Sequence, residues 1–219
     1  MKKYIAIDGP AGAGKSTVAR KLAQKLGYLY LDTGALYRAV TLYALQHGID
    51  LGDLSQIRDM LSRITISLET NQGLQVFLNG EEVTKTIRSP QVDRSVSKVA
   101  EIKMVRDFLR ETQRKIALSR PSVVEGRDIG TVILPEADLK IFLTANPETR
   151  AHRRWLELRE KGDCVDYKSV LKNILERDTI DSSRAHAPLR KANDAIVIDT
   201  SFLTIEEVIN KIYALAING

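Results

Sequence analysis

Short apolar runs and helical apolar stripes take turns at the start of the chain. Tyr4-Ile5-Ala6-Ile7 stops at Asp8, a Gly-rich turn follows, and Val18, Leu22 and Leu26 then recur at helical spacing up to Gly27. Tyr28-Leu29-Tyr30-Leu31 stops at Asp32, and a second helical stripe runs through Leu36, Ala39, Val40, Tyr43 and Ala44 to Gly48. This β-α-β-α alternation predicts a parallel sheet flanked by helices, an α/β fold. Between residues 61 and 88 the pattern changes. Thr65-Ile66-Ser67-Leu68 and Leu74-Gln75-Val76-Phe77-Leu78 read as strands and Asn79-Gly80 as a tight turn, so a small antiparallel β insertion is expected. One or two helices follow from Val92 to Leu118, then strands over 122–125 and 139–143. Pro147 and Glu148 suit the first turn of a helix capped by Asn146 and ended by Gly162. A helix over about 168–183, a strand over 195–198 and a helix over about 205–215 come last.

Composition narrows the setting. With 219 residues, 43% of them hydrophobic and 28% charged, the values are ordinary for a globular chain, and the length suits a single domain, 1–219, that carries insertions. A formal net charge of +5 favours anionic partners without naming them. Cys164 is the only cysteine, which excludes an intrachain disulfide and a Cys-based zinc site and fits a reducing compartment. No uncharged stretch approaches the roughly 18 residues of a membrane span, and the apolar run after Lys2-Lys3 is too short for a signal-peptide core. A cytoplasmic protein with no membrane partner is expected.

Gly9-Pro10-Ala11-Gly12-Ala13-Gly14-Lys15-Ser16 fits G-x-x-x-x-G-K-[ST] without mismatch, between a strand and a helix as that motif requires. Glycines let backbone N–H groups turn inward around the phosphates of a nucleoside triphosphate, and the helix N-terminus adds positive potential. Lys15 would reach the terminal phosphates, Ser16 would help hold Mg2+, and Thr17 completes the ATP-binding run. A phosphate loop alone leaves GTPase, motor, transporter subunit and small-molecule kinase open. No Asn-Lys-x-Asp occurs, which disfavours a Ras-like GTPase, and little length remains for the second core of a helicase.

Seven of the 18 arginines lie between Arg150 and Arg190, roughly twice an even spread. Arg150, Arg153, Arg154 and Glu157 share one side of a helix, and Arg177, Asp181 and Arg184 stand at i, i+4 and i+7 on the next. Solvated helices laced with ion pairs would explain such charges one at a time. Two clusters flanking Glu160-Lys161-Gly162-Asp163 in a phosphate-loop protein point instead to mobile positive charge that closes over a phosphoryl-transfer site. A phosphate acceptor, already ionised near about pH 6, needs no base, and His47, His152 and His186 sit in ordinary polar or helical settings. A nucleic-acid-binding ATP switch is the alternative from another class. Against it, aromatic residues are only 5% and the basic runs carry interleaved acids, so no stacking platform or continuous basic groove is visible.

Asp8 to Ser16, Asp32-Thr33-Gly34-Ala35-Leu36-Tyr37-Arg38, Glu125-Gly126-Arg127-Asp128-Ile129-Gly130-Thr131 and Glu176-Arg177-Asp178 with Asp181 and Arg184 resemble the bacterial cytidylate (CMP/dCMP) kinases, in order and over essentially the whole length. The phosphate loop is widely shared, whereas D-[ST]-G-x-x-Y-R together with G-R-D-x-G-T is specific. The resemblance implies a P-loop NTPase-type nucleoside monophosphate kinase fold, with the 61–88 insertion enlarging the monophosphate-binding part and a short lid over 154–168. It implies transfer of the ATP γ-phosphoryl group to CMP or dCMP, with Mg2+ accompanying ATP.

By position, the resemblance assigns the CMP phosphate to Arg38, Arg127 and Arg184, a task that suits bidentate guanidinium contacts. It places Thr33, Ser97, Arg106 and Asp128 around the cytosine, and Arg177 and Asp181 at the ribose. Arg150, Arg153, Arg154 and Arg159 become the lid-side candidates for the ATP phosphates, and Lys15, Arg127, Arg177 and Arg184 the catalytic set. The Asp128 carboxylate is apt, since it accepts from the exocyclic amine that cytosine has and uracil lacks. A kinase of another nucleoside monophosphate or small acceptor would need only a different pocket. A monomer with ATP and CMP or dCMP as partners, and no nucleic acid, is expected.

Overall fold

The computed structural model describes residues 1–69, 74–160 and 162–218; Lys161 of the expected lid turn and residues 70–73 of the expected insertion lie outside the described residues. The chain opens with β1 (Tyr4–Asp8), α1 (Lys15–Leu26), β2 (Leu29–Asp32) and α2 (Thr33–Gln46), followed by α3 (Leu54–Arg63). The insertion strands are β3 (Ile66–Glu69), β4 (Gln75–Leu78) and β5 (Glu81–Glu82), and α4 (Pro90–Glu101) and α5 (Lys103–Leu118) follow. Then come β6 (Ser122–Gly126), β7 (Leu139–Thr144), α6 (Pro147–Glu160), α7 (Tyr167–Ser183), β8 (Ile196–Asp199) and α8 (Ile205–Ile217).

Five strands pair in parallel in the order β2-β6-β1-β7-β8. Neighbouring residues of one strand serve opposite faces. Ile5 and Ile7 of β1 join Val18, Leu22 and Ile212 in the core under α1 and α8, while Ala6 joins Leu31, Val124, Ile129 and Ile133 in a core on the other side. A third core gathers Leu36, Ile57, Val76, Ile87, Val99 and Leu109 from α2, α3, the insertion, α4 and α5. The strand register brings Asp8 level with Gly126 and Asp32 level with Glu125. The functional turns therefore leave the sheet together at its C-terminal edge, where open α/β sheets bind ligands.

Most expected elements are present; the differences are at α3, at the start of the insertion sheet and at residues 129–133. Residues 61–63 belong to α3, a helix the apolar pattern did not announce because only Ile57, Met60 and Leu61 of it are buried. The three-stranded antiparallel sheet starts later, and Asn79 (φ 50°) and Gly80 (φ 85°) make the expected two-residue turn between Leu78 and Glu81. Of the one or two helices expected over 92–118 there are two, because Ile102 is extended (ψ 114°) between α4 and α5. Residues 129–133 form a single π turn, in which the Asp128 carbonyl accepts from Ile133 N–H and the Ile129 carbonyl from Leu134 N–H.

Candidate active site

The phosphate loop is shaped by close backbone approach. A Cβ on Gly9 would stand 2.0 Å from the Leu143 carbonyl oxygen of β7, so only glycine lets the loop leave β1 at that point. Gly14, left-handed at φ 90°, starts α1 with no side-chain cap, leaving the first N–H groups of the helix to a ligand. Lys15 is buried; its Nζ donates to the Pro10 carbonyl at 2.8 Å, and burial together with nearby Arg127 pushes its ammonium well below the usual lysine range. Ser16 is exposed in the first turn of α1.

The loop forms one side of a cleft of ≈1410 Å³. Every residue expected at the CMP end lines it: Thr33, Arg38, Ser97, Arg106, Arg127, Asp128, Arg177, Asp181 and Arg184. They come from α2, α4, α5, the turn after β6, α7 and the residue that ends α7. Thr33 Oγ1 donates to the Glu125 carbonyl at 2.7 Å, fixing the start of α2 to the end of β6. Asp128 is buried between two guanidiniums, accepting a hydrogen bond from Arg106 Nη2 on one side and lying 3.9 Å from Arg184 Nη2 on the other. Arg106 also donates to the Ala100 carbonyl at 3.0 Å and stacks 5.5 Å from the Tyr37 ring centre.

Arg127 Nε donates to Asp181 Oδ2 at 2.8 Å. Burial opposes ionisation of both partners, yet each holds the other charged: Asp181 lies below the usual carboxylate range and Arg127 above the usual arginine range. Arg177 differs. Burial, Arg127 and Arg38 push its guanidinium down to about 10, and its shielded Nε has no hydrogen-bond partner. Asp93 and Asp181 offset only part of that push.

At the phosphate-loop end, Ala11 to Thr17, Arg153 and Arg154 line the cleft, while Gly9 and Pro10 do not. Arg153 donates to Thr200 Oγ1 at 3.0 Å, and Arg154 bonds Asp93 and Glu157. Two expected lid-side residues are placed elsewhere. Arg150 is buried with its donors taken by the Ala11 carbonyl (3.0 Å), the Ala145 carbonyl (2.9 Å) and Asp178 (2.6 Å), so it braces the loop. Arg159 is exposed with its guanidinium 4.8 Å from the Trp155 ring centre, outside the residues lining the cleft.

Several residues of the site are given no role by the sequence. Asp8 is buried, and its two oxygens accept from Ile129 N–H and Gly130 N–H, each at 2.8 Å, tying the end of β1 to the Asp128 turn. Burial pushes its carboxyl up to about 6 in spite of those donors. Glu125 accepts from the Tyr30 hydroxyl at 2.8 Å, and burial beside Asp32 pushes its carboxyl up. Arg88 donates to Asp32 Oδ2 at 2.5 Å. Among the described residues no three His, Cys, Asp or Glu side chains form a metal cage, and no helix is long and apolar enough to cross a membrane.

A family model described as cytidylate kinase matches residues 5–218. The chain is 52% identical over 212 residues to the cytidylate kinase of Pelotomaculum thermopropionicum, covering 96% of this chain and 94% of the relative. It is 52% identical over 209 residues to the cytidylate kinase of Carboxydothermus hydrogenoformans, covering 95% and 94%. A crystal structure of an uncharacterized protein from Eubacterium ventriosum is similar with a TM-score of 0.52 at 15% identity, covering 100% of both chains, a likeness of fold alone.

Proposed function

The chain belongs to the cytidylate kinase family, and from that premise we propose how its cleft moves a phosphoryl group from ATP to CMP or dCMP. Gly9 to Thr17 wrap the triphosphate, with Lys15 drawn out to the terminal phosphates and Arg153 and Arg154 adding charge from the lid side. Arg38, Arg127 and Arg184 hold the acceptor phosphate, and Arg177, which has charge to spare, neutralises the group in flight. Lys15, Arg127, Arg177 and Arg184 are the catalytic set. Asp181 fixes Arg127 and reaches the ribose with Arg177. Thr33, Ser97, Arg106 and Asp128 enclose the base.

Mg2+ fits this donor set as an ion carried with the triphosphate. The exposed Ser16 hydroxyl is a hard oxygen ligand, and Mg2+ is ordinarily held by few protein groups plus phosphates. When bound, the ion supplies charge neutralisation on the phosphate oxygens. The 154–168 segment would act as the lid and the insertion would extend the monophosphate side. The protein would act as a cytoplasmic monomer, with no nucleic-acid or membrane partner.

The observation that carries the acceptor assignment is the buried Asp128 carboxylate between Arg106 and Arg184, in the same cleft as Lys15. A carboxylate flanked in this way accepts from the cytosine exocyclic amine and faces an acceptor oxygen at that same position in uracil, a mismatch that buried polar sites reject strongly. A coupled assay over CMP, dCMP, UMP, AMP and GMP tests it. CMP and dCMP should be preferred, and equal kcat/KM for UMP and CMP would refute the pocket.

A further inference from the structure

Asp93, in the first turn of α4, has no role in the scheme above, yet it is bonded to two of its arginines. Oδ1 accepts from Arg38 Nη2 on the acceptor side, and Oδ2 accepts from Arg154 Nη2 of α6 on the lid side. The other Nη of each arginine is occupied as well, Arg38 Nη1 by the Ile87 carbonyl at 3.1 Å and Arg154 Nη1 by Glu157 at 2.8 Å. All three side chains line the cleft. Arg177 also acts on the Asp93 carboxylate, and is itself repelled by Arg38 and Arg127.

An arginine cluster built for two polyanions repels itself when neither is present. Two guanidiniums bonded to one carboxylate stand on either side of it, so the carboxylate occupies a point at which both are aimed. A brace for either arginine would need to bind only that one. A group that binds both, from two walls of one cleft, takes up donors that substrate phosphates would use.

We propose that Asp93 is a resident counter-ion, standing in for nucleotide phosphate between Arg38 and Arg154 and released by at least one of them when phosphate arrives. The inference rests on the reading of those arginines as phosphate ligands. Asp93 is then a positioning residue that weakens substrate binding on purpose. It keeps the cluster together in the empty cleft, and it reclaims the guanidiniums as product leaves.

The test compares wild type with Asp93→Asn, Asp93→Ser and Asp93→Glu. It measures KM for CMP and ATP, kcat, melting temperature, and calorimetric binding of inorganic phosphate to the nucleotide-free protein. Removing the charge should lower KM for CMP and the phosphate dissociation constant by about fivefold, the effect of losing one modest competing ion pair, without raising kcat. Asp93→Glu should return both towards wild type. A raised KM with unchanged or weaker phosphate binding would identify a brace and overturn the proposal. Loss of fold in both uncharged variants would overturn it too, because a counter-ion that is given up in each turnover does not hold the fold. A wild type that bound phosphate but did not phosphorylate CMP would instead defeat the functional reading, and the phosphate measurement would still judge Asp93.

Discussion

The phosphate loop and the wall around Asp128 face the same cleft and carry their charge in opposite ways. The loop is contiguous and mostly backbone, and its lysine is buried against a carbonyl oxygen, so its charge is under-satisfied until a polyanion comes. The wall is assembled from several helices and a turn, and its Asp128 and Asp181 already pair with arginines. One region waits for charge while the other has stored it in pairs. Removing the cation of the loop should therefore remove turnover and spare the fold, whereas removing an anion of the wall should damage both.

Lys15→Met is the strongest test of that contrast. It should lower kcat by about a thousandfold or more, the scale for losing a preorganised charge contact to the transition state, while the melting temperature of the nucleotide-free protein holds or rises. The pH dependence of melting supplies a second reading. The unfolded lysine keeps its proton to about 10.5 and the folded one only to about 7. Between those values the unfolded chain binds more protons, so this lysine makes stability rise with pH. Lys15→Met should flatten that part of the profile, and a variant that melts lower at every pH would break the comparison.

Asp128→Ala comes next. It leaves Arg106 and Arg184 buried without the carboxylate between them, a loss of about 3–5 kcal/mol when one partner of a buried pair is removed. KM for CMP should rise far more than KM for ATP. Thermal melting and separate substrate titrations check it, and equal effects on the two substrates would reduce Asp128 to a structural ion. Arg184→Met should be milder on the fold, because the Arg106 bond to Asp128 survives. It should still lower kcat by roughly a hundredfold in single-turnover experiments, at the low end for a lost transition-state contact.

The same contrast governs what could be read from the chain. The loop is legible because its eight positions are adjacent, and Arg177 and Asp181 because helical spacing places them on one face of α7, with Arg184 just past its end. Asp8 is the opposite case: its partners Ile129 and Gly130 lie more than a hundred residues away, and no local pattern links them. Asp93 and Arg88 escaped for the same reason, since each meets partners that only the folded sheet and helices bring near. The spacing of Arg150 correctly indicated a helix face, and Arg153 and Arg154 on that face line the cleft, but Arg150 itself turns to the Ala11 carbonyl and Asp178. Periodicity reports which residues share a side; the tertiary packing decides what that side touches.

Arg159 sets the lower bound on the contrast. The resemblance groups it with Arg153 and Arg154, yet it lies over Trp155, where an exposed cation–π contact is worth about 0.5–1 kcal/mol. Arg159→Ala should change KM for ATP by less than about twofold, a difference under about 0.4 kcal/mol, and lower the melting temperature only slightly. Arg153→Ala, whose side chain does line the cleft, should raise KM for ATP more. If the order were reversed, α6 would have to swing far enough to carry Arg159 from Trp155 into the cleft, and α6 would then belong with the regions that wait for charge.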